Sequence, residues 1–256
     1  MAIGSALYRT PSTNDSMAWA RSLMHEAPDG SVFLADTYTH ARGRQGRSWE
    51  VLPGQLMVTL LLKPALLKVI HNDDMSIRLS QLSMALSLGI AQPFKACGAT
   101  LKWPNDFMLG DKKMGGMLMQ LAWEHEKPQG IVVGFGLNIN TVFPPDHPLA
   151  DRAISLAMHT EKPADMRGLY RDILNGLNQW YSLWQQLDFT QIYKSWRQEQ
   201  GALGKLITVH HKDGSVISGT AQQVMPNGDL LLKDQHGKQL VIAFYQVEDV
   251  RYVAAP

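Results

Sequence analysis

The 256-residue chain is 45% hydrophobic and 18% charged, the balance of a folded protein with one large core and room for a small second unit. Its 24 basic and 23 acidic residues leave a net charge of +1, which excludes a bulk electrostatic case for nucleic acid or an anionic membrane. A single cysteine, Cys97, excludes an internal disulfide, and no apolar run nears the roughly 20 residues of a membrane span, so a cytoplasmic location is expected.

In chain order, Ser12-Thr13-Asn14-Asp15 supplies capping side chains ahead of a helical pattern from Met17 to Met24 that ends near Gly30. Residues 31–38 read as a strand. They lead into Ala41-Arg42-Gly43-Arg44-Gln45-Gly46-Arg47-Ser48-Trp49, where arginines alternate with glycines. Glycine lets the backbone bend, and arginine offers a planar, always-charged fork suited to carboxylate and phosphate oxygens. Residues 56–62 form an apolar run stopped by Lys63-Pro64, a strand buried on both faces. From Asp73 to about Pro93, helical spacing of Ile77, Leu79, Leu82, Ala85, Leu86 and Leu88 predicts a central buried helix.

A short strand at 100–103 precedes Pro104-Asn105-Asp106. Strands at 114–123 and 130–139 pair as a hairpin across residues 124–129. Four prolines between residues 141 and 163 predict mostly loop around a short segment at 154–158. Residues 164–187 make an amphipathic helix whose stripe is Leu169, Ile173, Leu177, Trp180, Trp184 and Leu187; its aromatics read as core rather than a cofactor box. A shorter helix covers 189–200, and Gly201 to Gly204 make a break. Strands at 206–209, 216–224, 230–232 and 239–244, separated by glycine turns, then predict a small β-barrel. The fold class is therefore α+β, a mixed β-sheet backed by helices plus the barrel. Division is expected at 1–202 and 203–256.

Four separated motifs share an order and spacing: Ser12-Thr13-Asn14, the Arg/Gly loop, Lys102-Trp103-Pro104-Asn105-Asp106 with Lys112-Lys113-Met114-Gly115-Gly116, and Gly134-Phe135-Gly136-Leu137-Asn138. Together they resemble the catalytic domain of biotin protein ligases, a class II synthetase-like fold followed by an SH3-like barrel, over nearly the whole chain. The resemblance implies the short type, without an N-terminal DNA-binding domain. Its implied chemistry activates biotin with ATP and Mg2+ as biotinyl-5′-AMP. The biotin then passes to a lysine of a biotin carboxyl carrier domain, as in acetyl-CoA carboxylase, with the enzyme a monomer or a homodimer.

Carried over residue by residue, Lys113, Asp106 and Arg44 become the catalytic group. Lys113 neutralises charge on the biotin carboxylate and adenylate phosphate, Asp106 orients or deprotonates the acceptor amine, and Arg44 holds the adenylate. Ser12, Thr13, Asn14, Tyr38, Arg42, Arg44, Lys113, Gly115, Gly116, Gly134 and Gly136 are expected at biotin. Arg44, Arg47, Trp49, Lys102, Asn105 and Asn138 are expected at the nucleotide. No metal ligands are assigned. Where the family has Gln-x-x-Gly ahead of the first loop arginine, this sequence has Tyr38 and Ala41, which implies an altered ureido contact and a stiffer loop entrance. The alternatives are a lipoate or octanoate ligase or transferase of the same fold, and a non-catalytic protein that binds biotin or an adenylate.

Overall fold

A computed structural model describes residues 2–65 and 72–253. A seven-stranded sheet carries the larger part of the chain, in the order β1-β2-β5-β9-β8-β7-β6. These strands are β1 (Leu7–Thr13), β2 (Ser31–Tyr38), β5 (Gln55–Leu62), β6 (Ala99–Lys102), β7 (Asp106–Leu109), β8 (Lys112–Glu124) and β9 (Lys127–Asn138). Only β1 and β2 run parallel; the other neighbours are antiparallel. The Arg/Gly loop forms a separate small hairpin, β3 (Ala41–Arg42) and β4 (Ser48–Trp49), across a 3-10 turn at Arg44–Gly46.

Side-chain alternation sorts the sheet into two faces. On β9, Ile131, Val133, Phe135 and Leu137 enter the main core with Val58, Leu60 and Leu62 of β5. This face is covered by α2 (Asn72–Ala91), α4 (Met166–Gln185) and α5 (Phe189–Gln198). On the opposite face, Val132 and Leu61 pack with Ala20 and Met24 around α1 (Ser16–Ser22). Past α1, among the described residues, that second face is left without a covering helix and the residues there become small, Gly136 on β9 and Gly116 on β8, with Gly134 beneath Met17 of α1.

Helix α4 buries Trp180, Tyr181 and Trp184, as its periodicity predicts. The two indole N–H groups are satisfied: Trp184 Nε1 donates to the Arg78 carbonyl at 3.1 Å and Trp180 Nε1 to Gln92 Oε1 at 3.0 Å. Leu187, placed on the same stripe by spacing, instead lies past the helix end at φ 63° and is half exposed. Helix α2 ends at Ala91, and Pro93 opens a 3-10 turn over Gln92–Cys97. A short α3 (Leu156–Thr160) follows the proline-rich segment.

The C-terminal strands β10 (Leu206–His211), β11 (Val216–Val224), β12 (Leu230–Lys233), β13 (Gln239–Ile242) and β14 (Val247–Tyr252) form an antiparallel sheet in the order β13-β12-β11-β10-β14. This fits a small SH3-like unit. The expected closure is not seen: among the described residues, β13 and β14 are joined by a 3-10 turn, Phe244–Gln246, and are not paired. Ile207, Val209, Leu230, Leu232, Val247 and Val250 join the same contiguous core as the main sheet.

Three strands depart from the sequence reading. Of the expected capping residues Ser12-Thr13-Asn14-Asp15, Ser12 and Thr13 instead end the unforeseen strand β1; the cap is Asp15, whose carboxylate accepts the Ala18 N–H at 2.9 Å. An edge strand tolerates Pro11, and its mostly exposed residues give no apolar pattern. Strand β7 is four residues long after a turn, and β14 carries charges at Glu248, Asp249 and Arg251.

Helices α2 and α4 touch backbone to backbone at Gly89 and Gly176. A methyl group at Gly89 would lie 2.7 Å from Leu177 Cα, and one at Gly176 would lie 2.4 Å from the Gly89 carbonyl oxygen. Neither contact can be relieved by turning a side chain. Gly89→Ala is therefore expected to destabilise the protein by about 2–3 kcal/mol, the cost of forcing packed elements apart. Urea unfolding checks this; an unchanged midpoint would contradict the close helix crossing.

Candidate active site

The uncovered part of the sheet floors a cavity of about 1110 Å³. Register explains its shape. Thr59, Gly134 and Leu118 form one cross-strand row, and Met57, Gly136 and Gly116 form the next. The glycines clear space where other residues would project. A methyl group on Gly136 would meet the Trp49 indole at 3.3 Å, and one on Gly134 would meet Met17 Sδ at 2.9 Å. Trp49 from the Arg/Gly hairpin and Met17 from α1 thus lie directly over the floor. The indole N–H of Trp49 is buried and has no hydrogen-bond partner among the described residues.

Over Gly116 lies an ion pair. Lys113 Nζ is 2.6 Å from Asp106 Oδ1, and both sit 3.4 Å from where a Gly116 methyl group would be. Lys113 also stands 5.7 Å from the centre of the Trp49 ring. The adjacent Lys112 turns elsewhere and donates to the Ala150 carbonyl at 2.6 Å. Asn105 is locked to β8, with Met117 N–H donating to its carbonyl and its amide donating to the Met117 carbonyl. Its Oδ1 in turn accepts Arg44 Nη1 at 3.3 Å. Burial lowers Arg44 from the ordinary guanidinium value, with Asp106 opposing. At the cavity's far end Gln55 Nε2 donates to the buried Asn138 Oδ1 at 3.0 Å.

The C-terminal sheet closes one wall. Arg44 Nη2 donates to the carbonyls of Phe244 at 2.7 Å and Val247 at 3.3 Å, and Arg47 Nη2 to that of Glu248 at 2.7 Å. Lys102 Nζ lies 5.2 Å from the Tyr252 ring centre, and burial pulls its pKa down while Asp106 and Asp249 pull the other way. Burial, with Asp111 and Asp106 nearby, pushes the Tyr252 hydroxyl up to about 12. Burial alone would raise Asp249, but a hydrogen bond from Arg251 and the Lys102 charge outweigh it and hold the carboxyl below its usual range.

Of the residues singled out from sequence, Asn14, Arg42, Arg44, Arg47, Trp49, Lys102, Asn105, Asp106, Lys113, Gly116, Gly134, Gly136 and Asn138 line this cavity. Ser12, Thr13, Tyr38 and Gly115 do not. Gly115 faces the other way, where a methyl group would strike the Gly136 carbonyl oxygen at 2.5 Å. The Tyr38 hydroxyl is consumed by backbone: it accepts the Ala35 N–H at 3.0 Å and donates to the Met57 carbonyl at 2.9 Å.

Residues 6–138, just over half of the chain, match the model of the biotin/lipoate A/B protein ligase family. The chain belongs to that family. The bifunctional ligase/repressor BirA of Bacillus spizizenii is 27% identical over 220 residues, 83% of this chain; the chain spans 64% of that relative's length. The biotin–[acetyl-CoA-carboxylase] ligase of Paracoccus denitrificans is 29% identical over 251 residues, 93% of this chain and 97% of that one. Among solved structures, the biotin protein ligase from Aquifex aeolicus in complex with biotin and ATP has a TM-score of 0.78 at 22% identity, covering 97% of this chain and 100% of that one. At that identity the likeness establishes the fold.

For this family member, sequence reasoning missed the wall built by Glu248–Tyr252 and the floor residues Met17, Met57 and Thr59. Their alternation with core residues on β5 was the available signal for Met57 and Thr59. Nothing local marks 248–252 as a site.

Because the Tyr38 hydroxyl is held by the backbone of Ala35 and Met57, Tyr38→Phe is expected to cost about 1–3 kcal/mol of stability, the penalty for stranding half-buried partners. The Kd for biotin by calorimetry should stay within about twofold of wild type. A large loss of biotin affinity at unchanged stability would put Tyr38 back in the ligand site.

Proposed function

We propose that this chain is an ATP-dependent biotin ligase. It joins the biotin carboxylate to the α-phosphorus of ATP, expelling pyrophosphate. It then transfers the biotinyl group to a lysine ε-amine of a biotin carboxyl carrier domain, such as that of acetyl-CoA carboxylase, expelling AMP. The observation that carries the reading is the Lys113–Asp106 pair at 2.6 Å, held above a glycine-cleared floor with Arg44 beside it through Asn105. One cation, one carboxylate and one guanidinium on a single wall match the two halves of such a reaction.

In the first half, negative charge gathers on phosphate oxygens, where Lys113 and Arg44 neutralise it. Once the Lys113 ammonium turns from Asp106 to the adenylate phosphate, the Asp106 carboxylate is released. It then accepts a proton from the incoming lysine, whose nitrogen attacks the carbonyl carbon of the mixed anhydride. Trp49, Arg47 and Asn138 are assigned to the nucleotide, with Gln55 donating to the Asn138 Oδ1. The pair of units, 1–202 and 203–256, then divides the work: the first supplies floor and catalytic pair, the second holds the loop arginines.

Mg2+ has no cage of its own here. Among the described residues no group of three or more His, Cys, Asp or Glu side chains is placed to hold a metal, and Asp106 and Asp249 are already paired with cations. The ion fits only as the companion of ATP phosphates, needing one or two protein oxygens.

Tyr38 is the main reason to keep the lipoate or octanoate alternative, and the bonding of its hydroxyl to backbone supports the biotin reading over it. ATP–pyrophosphate exchange, run with biotin, lipoate, octanoate and no acid, separates the activities. Exchange is expected with biotin, and Lys113→Ala should reduce it by at least about 100-fold. Asp106→Asn should leave exchange within several-fold yet slow transfer to a carrier domain by about 100-fold or more. Exchange with lipoate or octanoate alone would move the chain to the sister activity. No exchange with any acid in folded protein would leave a binding protein.

A further inference from the structure

The turn Asn227-Gly228-Asp229, between β11 and β12, is outside the cavity wall, yet two cavity motifs rest on it. Trp103, at the head of the Trp-Pro-Asn-Asp motif, donates from Nε1 to the Gly228 carbonyl at 2.8 Å. Gly228, at φ +90°, is pressed against α2, where a methyl group would lie 2.3 Å from Ser80 Oγ. The Asp229 carboxylate is fixed by its own turn, accepting Asn227 Nδ2 at 2.8 Å through Oδ2. Through Oδ1 it accepts the Phe244 N–H at 3.2 Å. Phe244 belongs to the 3-10 turn between β13 and β14, and its carbonyl receives Arg44 Nη2 at 2.7 Å.

We propose that Asp229 is a positioning residue for Arg44, acting through the backbone of Phe244. A three-residue 3-10 turn has few hydrogen bonds of its own to hold its peptide planes. A carboxylate–amide bond is about twice as strong as a neutral one and pins that turn from outside. The turn then presents the carbonyls of Phe244 and Val247 together, and the Arg44 guanidinium spans them. Two of its donors are thereby directed away from ligand, and the planar fork is oriented before any ligand arrives. Fixing a long arginine in advance removes rotamer entropy that binding would otherwise have to overcome. Gly228 and Trp103 tie the same turn to the motif carrying Asn105 and Asp106, so loop arginine and catalytic carboxylate share one support. The enzymatic consequence rests on the proposed ligase reading; the structural coupling does not.

The test compares Asp229→Ala, Asp229→Asn, Arg44→Ala and the Asp229→Ala/Arg44→Ala double variant in the full chain. The first readout is amide hydrogen exchange of residues 41–49 without ligand. Asp229→Ala and Arg44→Ala should each speed it, and the double variant should exchange no faster than Arg44→Ala. Asp229→Asn, which keeps an oxygen facing the Phe244 N–H, should restore wild-type exchange. The second readout is release of preformed biotinyl-AMP, expected about five- to twentyfold faster in Asp229→Ala. In the Arg44→Ala background the same change should add nothing, a result that general loss of stability would not give. Unchanged loop exchange in Asp229→Ala overturns the proposal, as does an effect that adds in full on top of Arg44→Ala. A wild-type protein that forms no adenylate from biotin would sink the ligase reading, and loop exchange would still decide the role of Asp229.

Discussion

The absence of side chains at Gly116, Gly134 and Gly136 is the constraint on which the rest of the site depends. The three fall in adjacent cross-strand rows on one face of the sheet, so the cleared space is continuous. Their opposite neighbours along the strands, such as Val133, Phe135 and Met117, are buried in the main core and hold the register. A one-residue slip would exchange the two sets, filling the cavity with core residues and opening the core. The site is thus as well determined as the core itself. Glycine in a strand weakens it, and here the deep packing on the reverse face supplies the compensation.

That floor determines what stands above it. Trp49 approaches because Gly136 has no side chain, and the Lys113–Asp106 pair lies across Gly116 for the same reason. Lys113 is fixed from a second direction by the chain after the proline-rich segment: its N–H and carbonyl bond to Arg152 and Ile154. The irregular region between β9 and α4 therefore has a defined task, holding the strand end that carries the lysine.

How much of this was legible follows from how local each signal is. Alternation along residues 130–139 and the apolar run at 56–62 marked both central strands, and periodicity marked α2 and α4. The glycine and Lys113 motifs, tied to sequence neighbours, landed on the cavity. Ser12 and Thr13 misled because a capping-type cluster reads the same at the end of an exposed edge strand as at a helix start. Tyr38 was assigned to the ligand from its place in a motif, which does not say which way a side chain turns; two backbone groups hold its hydroxyl. The wall at Glu248–Tyr252 was invisible because it arrives from 200 residues away in sequence and consists partly of carbonyl groups, which every residue has.

The same wall explains how a site crowded with cations stays folded. Lys113 takes Asp106, Arg42 lies 3.6 Å from Asp15, and Lys102 is balanced by Asp106 and Asp249. Arg44 and Arg47 take carbonyls instead of carboxylates. A carbonyl satisfies a guanidinium donor without cancelling its charge, so these two arginines keep their attraction for phosphate oxygens undiminished. Lys113, by contrast, must exchange one full charge for another. In the proposed reaction the carbonyl-bound Arg44 and Arg47 face the nucleotide, and the paired charge lies at the floor, where the release of Asp106 is itself useful. A net charge of +1 is thus compatible with a cavity that gathers cations, because the compensation is distributed by position rather than by count.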